Sequence, residues 1–90
     1  MVKKTIHKVS GGKLLRIKAE INNSVIREIK ITGDFFIHPE NDLMKIEEIL
    51  QGKQIDQAKQ AVDEFTEKNQ TQIIGFTSAD LQEALKKLSS

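Results

Sequence analysis

The chain contains no cysteine, no tryptophan and no tyrosine, and it has proline only once. The absence of cysteine excludes disulfides, thiolate metal sites, iron–sulfur ligation and thiol nucleophiles. For the same reason, cysteine usage does not indicate whether the protein works in an oxidising or a reducing compartment. No apolar run approaches the length of a signal-peptide core or of a membrane-spanning helix. We therefore expect no membrane segment, and the cytoplasm is the default location.

The length of 90 residues predicts one domain over residues 1–90. A chain of this size buries roughly 60–65% of its unfolded surface, which leaves little depth for a closed, water-free active site. Charged residues make up 30% of the chain, yet the formal net charge is only +1. This balance gives no electrostatic reason to expect nucleic acid or a membrane as a partner.

The first third of the chain alternates apolar and polar residues, which predicts strands. The segment 5–10, with Ile6 and Val9, predicts an edge strand. A second strand is indicated by apolar residues spaced by two, namely Leu15, Ile17, Ala19 and Ile21. The sequence Asn22-Asn23-Ser24 predicts a tight turn. Val25, Ile29 and Ile31 then resume the buried face, with Arg27 as a mismatch, so three antiparallel strands are expected.

After Pro39 the apolar spacing changes to three and four, which predicts helices. The first helix starts near Leu43 and stops at Gly52, and the second follows it. The third is opened by Thr77 to Asp80, a capping-box pattern with Thr77 as N-cap. Between the second and third helices, the segment 71–76 is expected to be extended and packed through Ile73, Ile74 and Phe76. The predicted fold class is α+β, a three-stranded antiparallel sheet followed by three helices packed on one face.

The segment from Ile31 to Glu40 lies where the pattern changes from strands to helices. It holds two of the four phenylalanines, one of the two histidines and the one proline. In the simplest interpretation Gly33 turns the chain, Asp34 caps a turn, and Phe35 and Phe36 fill the core. The alternative is that this junction binds a partner. Successive residues of an extended segment point to opposite sides, so one of the two rings would then face outward as the anchor for the partner, and the sequence does not assign which.

Residues for catalysis and metal binding are scarce. The two histidines, His7 and His38, are more typical of packed or capping residues than of bases beside a nucleophile. The spacing Asp34-x-x-x-His38 permits a metal site on paper, but the apolar residues between them favour packing. We predict neither a catalytic residue nor a metal site in this chain.

The turn Gly11-Gly12-Lys13 could present backbone N–H groups and an ammonium group to a phosphate. However, a strand follows it, whereas phosphate-binding loops lead into a helix. A flexible hairpin turn with a solvated lysine therefore stays open as the alternative. Lys13, Arg16 and Lys18 give the adjoining strand a modest basic face, but the aromatic residues needed for nucleic-acid binding are missing from it.

Taken together, these motifs resemble the C-terminal accessory domain of lipoate–protein ligases. The resemblance is carried by Gly11-Gly12-Lys13-Leu14-Leu15-Arg16, by Ile29 to Phe36 with its Gly-Asp-Phe-Phe element, and by Pro39-Glu40 before a helix. It extends over essentially the whole chain. Because the chain begins at Met1 without a preceding catalytic domain, it is similar to the small subunit of a two-part ligase, as found in some archaea.

The resemblance implies a two-step reaction, in which lipoate and ATP form lipoyl-AMP and the lipoyl group then passes to a lysine of a lipoyl carrier domain. It implies that the catalytic lysine, lipoate, and ATP with Mg belong to a separate catalytic subunit, with no cofactor bound by this chain alone. Gly11, Gly12 and Lys13 would lie near the adenylate. The junction residues Gly33, Asp34, Phe35, Phe36 and His38 would contact the partner.

The family fold also resembles that of iron–sulfur scaffold proteins, which gives a second hypothesis. Scaffold chemistry requires cysteine, so this alternative is reduced to a cysteine-free protein-interaction module.

Overall fold

The computed structural model describes residues 2–11 and 13–89 and has an α+β architecture. Its strands and helices, in chain order, are β1 (Val2–Lys8), β2 (Leu14–Asn22), β3 (Val25–Gly33), β4 (Phe36–His38), α1 (Asp42–Leu50), α2 (Ala58–Asn69), β5 (Gln72–Ile74) and α3 (Ser78–Ser89). A short 3₁₀ turn, Ile55–Gln57, precedes α2. The predicted three-stranded antiparallel sheet and the three helices are confirmed.

The main sheet has the strand order β1-β2-β3, with every pairing antiparallel. One face of the central strand β2 is sealed from water, because Leu15, Ile17 and Ala19 are at most 1% exposed. The helices α1 and α3 pack against the same side of the sheet, α1 on β3 and α3 on β1 and β2. The opposite face of this sheet carries charged residues and is open to solvent.

The strand β1 begins and ends earlier than predicted, and it turns Ile6 to the solvent. That residue is 60% exposed, whereas the polar His7 is 7% exposed. The cause is the pairing with β2, which sets His7 opposite Leu15 and Ile6 opposite Arg16. Residues directly opposite each other point to the same face, so His7 joins Leu15 under the helices.

The mismatch at Arg27 is resolved by an irregularity in the pairing of β2 and β3. Glu20 pairs with Glu28, but the next residue, Ile21, pairs with Ile26, which leaves Arg27 as the extra residue of a β-bulge. Arg27 is therefore exposed, and Ile26 is fully buried instead of Val25. The strict alternation predicted from Val25 onward was wrong at this end of β3.

The predicted turn between β2 and β3 is confirmed. Asn23 and Ser24 both have positive φ, at 54° and 63°. Positive φ at both central residues is the geometry of the two-residue turn that matches the twist of the flanking strands. The central hairpin is thereby closed by the shortest connection that antiparallel strands allow.

A second sheet, absent from the sequence-based prediction, pairs β4 with β5. Its short ladder sets Phe36 opposite Ile74 and His38 opposite Gln72. The extended conformation expected within residues 71–76 is confirmed, and Phe76 is buried. The expectation that Ile74 packs inward is wrong, because this side chain is 62% exposed.

The helices begin and end close to the predicted positions. Gly52 follows the C-cap of α1 with a φ of +88°, and α3 starts directly after Thr77. The predicted capping box is present, since Asp80 N–H donates to the Thr77 hydroxyl at 3.2 Å and Thr77 N–H donates to Asp80 Oδ2 at 2.9 Å. A buried hydrogen bond of 2.5 Å from the Thr71 hydroxyl to Asp42 ties the start of α1 to the residue before β5.

The outer edge of β3 is covered by the connection between α1 and α2. Ile26 N–H donates to the Lys53 carbonyl at 2.8 Å, and Gly52 N–H donates to the Ile26 carbonyl at 2.7 Å. Further along, Glu47 of α1 accepts a hydrogen bond of 2.7 Å from Ile31 N–H. These contacts give the backbone groups of an edge strand partners within the chain. No helix in the described part of the chain is long and apolar enough to cross a membrane.

Candidate functional site

The turn between β1 and β2 is closed by a hydrogen bond of 2.8 Å from Val9 N–H to the Lys13 carbonyl. Gly11 has a φ of +94° and is exposed, and a Cβ added there would meet no atom within 4 Å. The space outside the turn is therefore open to a ligand. Lys13 is exposed as well. Gly12, which was predicted with these two residues, lies outside the described residues.

Gly33 brings the end of β3 against the start of β2. Its φ is +145°, and a Cβ at this position would lie 2.2 Å from the Leu14 carbonyl oxygen. Since only glycine lacks that atom, the two backbones can approach closely. The approach allows Asp34 N–H to donate to the Leu14 carbonyl at 2.9 Å. The Gly-Asp-Phe-Phe element is thus held beside the hairpin turn that contains Lys13.

These two sequence motifs share one open cavity of about 630 Å³. Its described lining consists of Gly11, Lys13, Gly33, Asp34, Phe35 and Phe36. The two groups of residues are separated by at least 20 positions in sequence, and they were selected from the sequence as two separate motifs. The structure therefore brings together six of the eight predicted site residues, with His38 outside the lining.

Phe35 and Phe36 point to opposite sides, as expected for successive residues of an extended segment. The Phe35 ring is partly buried against the core and packs edge-on against Phe76, with ring centroids 4.9 Å apart and an interplanar angle of 81°. The Phe36 ring is 73% exposed. Phe35 therefore belongs to the core, and Phe36 is the outward ring that the sequence left unassigned.

Gly75 supports this arrangement and was not identified from the sequence. A Cβ on Gly75 would lie 2.8 Å from the Asp34 carbonyl oxygen and 2.8 Å from Phe35 Cβ. The absence of a side chain therefore lets the end of β5 pack directly on the cavity wall. The available signal was an isolated glycine within the apolar run Ile73 to Phe76, a pattern that indicates a close backbone approach.

Ile74 extends the exposed apolar surface next to the cavity. It pairs directly with Phe36 across the β4–β5 ladder, and the two side chains are 62% and 73% exposed. His38 lies two residues beyond Phe36, so it is on the same exposed face of β4. It is joined to Pro39 by a cis peptide bond. We call Phe36 and Ile74 the apolar pair.

The described lining offers binding groups without a pair of groups for nucleophilic catalysis. It contains one ammonium group at Lys13, one carboxylate at Asp34, and two aromatic rings, with neither a histidine nor a hydroxyl side chain. A nucleophile activated by a neighbouring base requires both of these partners. The cavity can hold an anionic group near Lys13 and contact a protein surface through Phe36.

His7 takes part in a different cluster, between β1 and α3. Its Nε2 lies 3.4 Å from Asp80 Oδ1, and Lys87 Nζ lies 2.9 Å from its Nδ1. Because an ammonium group can only donate, Nδ1 accepts and Nε2 carries the proton toward Asp80. Glu83 is also near enough for a three-ligand metal cluster. Both ring nitrogens of His7 already have protein partners, so this cluster is best explained as a link between β1 and α3.

Two carboxylates that fasten the helices are more acidic than usual. Partial burial opposes ionisation of Asp80, but hydrogen bonds from Thr77 and His7 outweigh it and lower the pKa of this carboxyl. The pKa of Asp63 is lowered mainly by the hydrogen bond from Lys59, with a second contribution from Ser78. The Ser78 hydroxyl donates to Asp63 at 2.5 Å and so joins α3 to α2.

The class of this domain is given by a family profile, that of the C-terminal domains of lipoate protein ligases. The profile of the family described as "Bacterial lipoate protein ligase C-terminus" matches residues 3–88. This chain belongs to that family.

Among individual proteins, the chain is similar to lipoate-protein ligase A subunit 2 of Thermoplasma acidophilum, with 31% identity over 52 residues. That match includes 58% of this chain and 55% of the relative, so it spans about half of the relative's length.

The fold is also similar to a chain in the structure of an archaeal lipoylation system from Thermoplasma acidophilum. That system consists of a bi-partite lipoate protein ligase and its E2 lipoyl domain. The TM-score is 0.80, the sequence identity is 26%, and the match includes 94% of each chain.

Proposed function

We propose that this chain is the accessory subunit of a two-part lipoate–protein ligase. It acts with a separate catalytic subunit in the ATP-dependent activation of lipoate to lipoyl-AMP, before transfer to a lysine of a lipoyl carrier domain. Membership of the ligase C-terminal family over residues 3–88 supports this proposal. The likeness to a chain of a bi-partite ligase over 94% of both chains also supports it.

The observation that carries the proposal is the position of Lys13 and Phe36 around one cavity. An exposed aromatic ring is a typical anchor for a protein partner, because aromatic residues dominate interface energetics. An ammonium group on a glycine-containing turn is suited to a phosphate. A partner docked on the apolar pair would thus bring its own active site beside Lys13.

In this proposal the chain supplies no catalytic residue. Lipoate, ATP and Mg are bound by the catalytic subunit, and this chain closes or completes that site from outside. Gly11 and Lys13 lie nearest the adenylate, and Lys13 acts on the negative charge that develops on the reacting phosphate. Gly33 and Asp34 hold the turn in place, while Phe36 and His38 face the partner.

The second hypothesis, a cysteine-free interaction module related to iron–sulfur scaffold proteins, is not favoured by the ligase relatives. The likeness of the fold to iron–sulfur scaffold proteins stays a prediction from the sequence. No specific contact in the described residues favours that role over the ligase role.

Reconstitution from separately purified subunits tests the proposal. Lipoyl-AMP formation should require both the catalytic subunit and this chain, and each alone should be inactive. Calorimetric titration of this chain alone with ATP and with lipoate should give no binding signal. Turnover by the single chain, or full activity of the catalytic subunit without it, would contradict the accessory role.

A further inference from the structure

The open face of the main sheet carries a row of three lysines. Lys4 of β1 pairs with Lys18 of β2, which in turn pairs with Lys30 of β3. Side chains of directly paired residues lie on the same face with Cβ atoms about 5 Å apart. We call Lys4, Lys18 and Lys30 the lysine row.

The next row adds another cation. Ile6 pairs with Arg16, and Arg16 pairs with Thr32, so Arg16 lies beside the lysine row on the same face. Together the two rows line an open cavity of about 650 Å³, whose lining includes Lys4, Ile6, Arg16, Lys18, Lys30 and Thr32. Within residues 2–11 and 13–89, no salt bridge joins these four cations to a carboxylate.

Like charges directly opposite each other destabilise a sheet. The chain has 13 acidic residues for 14 lysines and arginines, so its overall composition would allow neutralisation of this face. The row on the other side of the lysine row pairs Glu20 with Glu28, but the two rows that line the cavity hold four cations and no carboxylate, so this part of the face is positively charged. It is complementary to an acidic surface on another molecule.

The lysine row is charged, whereas the apolar pair is hydrophobic. The two surfaces therefore suit different kinds of partner. Permanent interfaces are rich in aromatic residues and poor in lysine, which fits Phe36 and Ile74. Exposed complementary charges instead speed encounter and orient a partner that binds and leaves. Of the two protein partners in the proposed function, the catalytic subunit is retained, whereas the carrier domain must arrive and depart in each turnover.

We infer that the open face of the main sheet is the docking surface for the lipoyl carrier domain, through an acidic patch on that domain. This inference rests on the proposed function and extends it to the selection of the carrier. In this inference the four cations do not contact the reacting lysine of the carrier. They are positioning residues and take no part in the chemical step.

The test uses the reconstituted complex of this chain with the catalytic subunit and a lipoyl carrier domain. The double variant Lys18→Glu/Lys30→Glu should raise the KM for the carrier on the order of tenfold at low salt. Lipoyl-AMP formation without the carrier should stay within about twofold of the parent, because that step does not involve the carrier. Added salt should raise the KM of the parent and narrow its difference from the variant.

A matched control is the double variant Lys53→Glu/Lys68→Glu, which has the same net charge but alters exposed residues outside the sheet. Its KM should equal that of the parent. An equal rise in both variants would show a general charge effect and overturn the inference. An unchanged KM in the first variant, or a loss of subunit association, would also overturn it.

The single variant Lys18→Glu gives a readout that a merely structural role would not produce. It places a carboxylate between Lys4 and Lys30 but also beside Glu20 and Glu28, so the melting temperature of the isolated chain should change little while the KM for the carrier rises. A variant that lowers both would contradict the role of the row.

Two further outcomes are distinguishable. If a random-sequence DNA duplex binds this chain and the double variant Lys18→Glu/Lys30→Glu abolishes that binding, the face binds nucleic acid and the inference fails. If the parent complex forms no lipoyl-AMP, the proposed function itself fails. An active complex with an unaltered carrier KM contradicts the docking surface alone.

Discussion

The helix-covered face of the main sheet and the β4–β5 end of the domain differ in the solvent exposure of their large apolar side chains. Under the helices, Leu15 and Ile17 are at most 1% exposed. On the small sheet, Phe36 and Ile74 are 73% and 62% exposed although they pair directly with each other. The difference separates the residues that stabilise the fold from those available to a partner.

The comparison also shows how the exposed end is held in place. Its strands are only three residues long, and isolated two-stranded ladders are marginal in water. It is supported by close backbone contacts at Gly33 and Gly75, by the Phe35–Phe76 ring contact and by the Thr71–Asp42 hydrogen bond. Rigid support of an exposed ring lowers the entropy lost on binding.

The largest expected effect is at the contact that joins the two regions. Gly33→Ala would place a Cβ 2.2 Å from the Leu14 carbonyl oxygen at a φ of +145°. Backbone strain and overlap together should lower the free energy of unfolding by about 3 kcal/mol or more. Urea denaturation measures this value.

Gly52→Ala is the matched control for Gly33→Ala. Gly52 also has a positive φ, at +88°, but a Cβ there meets no atom within 4 Å. Only the conformational strain remains, so the loss should be about 1 kcal/mol. Equal losses at the two positions would show that the contact between Gly33 and Leu14 does not hold the motifs together.

The two adjacent phenylalanines give the sharpest form of the comparison. Phe35→Ala removes a ring packed against Phe76 and should lower the free energy of unfolding by about 3 kcal/mol. Phe36→Ala should change it by less than about 0.5 kcal/mol. It should instead weaken association with the catalytic subunit roughly thirtyfold, equivalent to about 2 kcal/mol.

Thermal melts and calorimetric titration of both variants provide these measurements. Met44→Ala is the control for an exposed apolar side chain, since Met44 is 65% exposed on α1 and does not line the cavity. It should leave subunit association unchanged. If Phe35→Ala and Phe36→Ala unfold the domain equally, the exposed end is part of the core and the comparison is wrong.

A smaller effect is expected at Lys13, on the rim of the exposed end. Lys13→Ala should slow lipoyl-AMP formation about tenfold, equivalent to about 1.4 kcal/mol of transition-state stabilisation. Transfer from pre-made lipoyl-AMP to the carrier should suffer less, because the departing pyrophosphate takes no part in that step. The measurement is the rate of each half-reaction in the reconstituted complex. If the variant and the parent form lipoyl-AMP at the same rate, Lys13 is only a solvated turn residue.

The smallest expected effect is on stability at low pH. It depends on Asp63 and Asp80, which lie on the helices and not at the β4–β5 end. Asp63 and Asp80 have pKa values below the ordinary 3.8, so their contribution is present above that pH and is lost as pH falls through the lowered values. The melting temperature of the parent should therefore fall below about pH 4.

Asp80→Asn should reduce that dependence on pH, because the amide does not titrate. A parent melting temperature that stays constant down to about pH 2 would contradict the assigned hydrogen bonds of Asp63 and Asp80.

The sequence predicted best those features that depend on neighbouring residues. The capping box from Thr77 to Asp80 and the turn at Asn23 and Ser24 are local, so their residues could be identified without knowledge of the rest of the fold. The opposite directions of Phe35 and Phe36 likewise follow from the geometry of one extended segment.

Features that depend on distant pairing could not be predicted. Whether Ile6 or His7 of β1 faces the helices is decided by its register with β2, and the extra residue Arg27 appears only once β2 and β3 are aligned. The small sheet requires that residues 36–38 meet residues 72–74. The sequence identified the two motifs that line the cavity, but it did not show that they meet. Their meeting depends on the close approach of Gly33 to the Leu14 carbonyl.

The covered edge of β3 limits how this domain can assemble with other chains. Its backbone groups at Ile26 and Ile31 already bond to Gly52, Lys53 and Glu47. A strand from another molecule therefore cannot extend the main sheet at these positions of β3. Assembly on this side of the molecule must depend on side-chain recognition, which is more selective than backbone pairing.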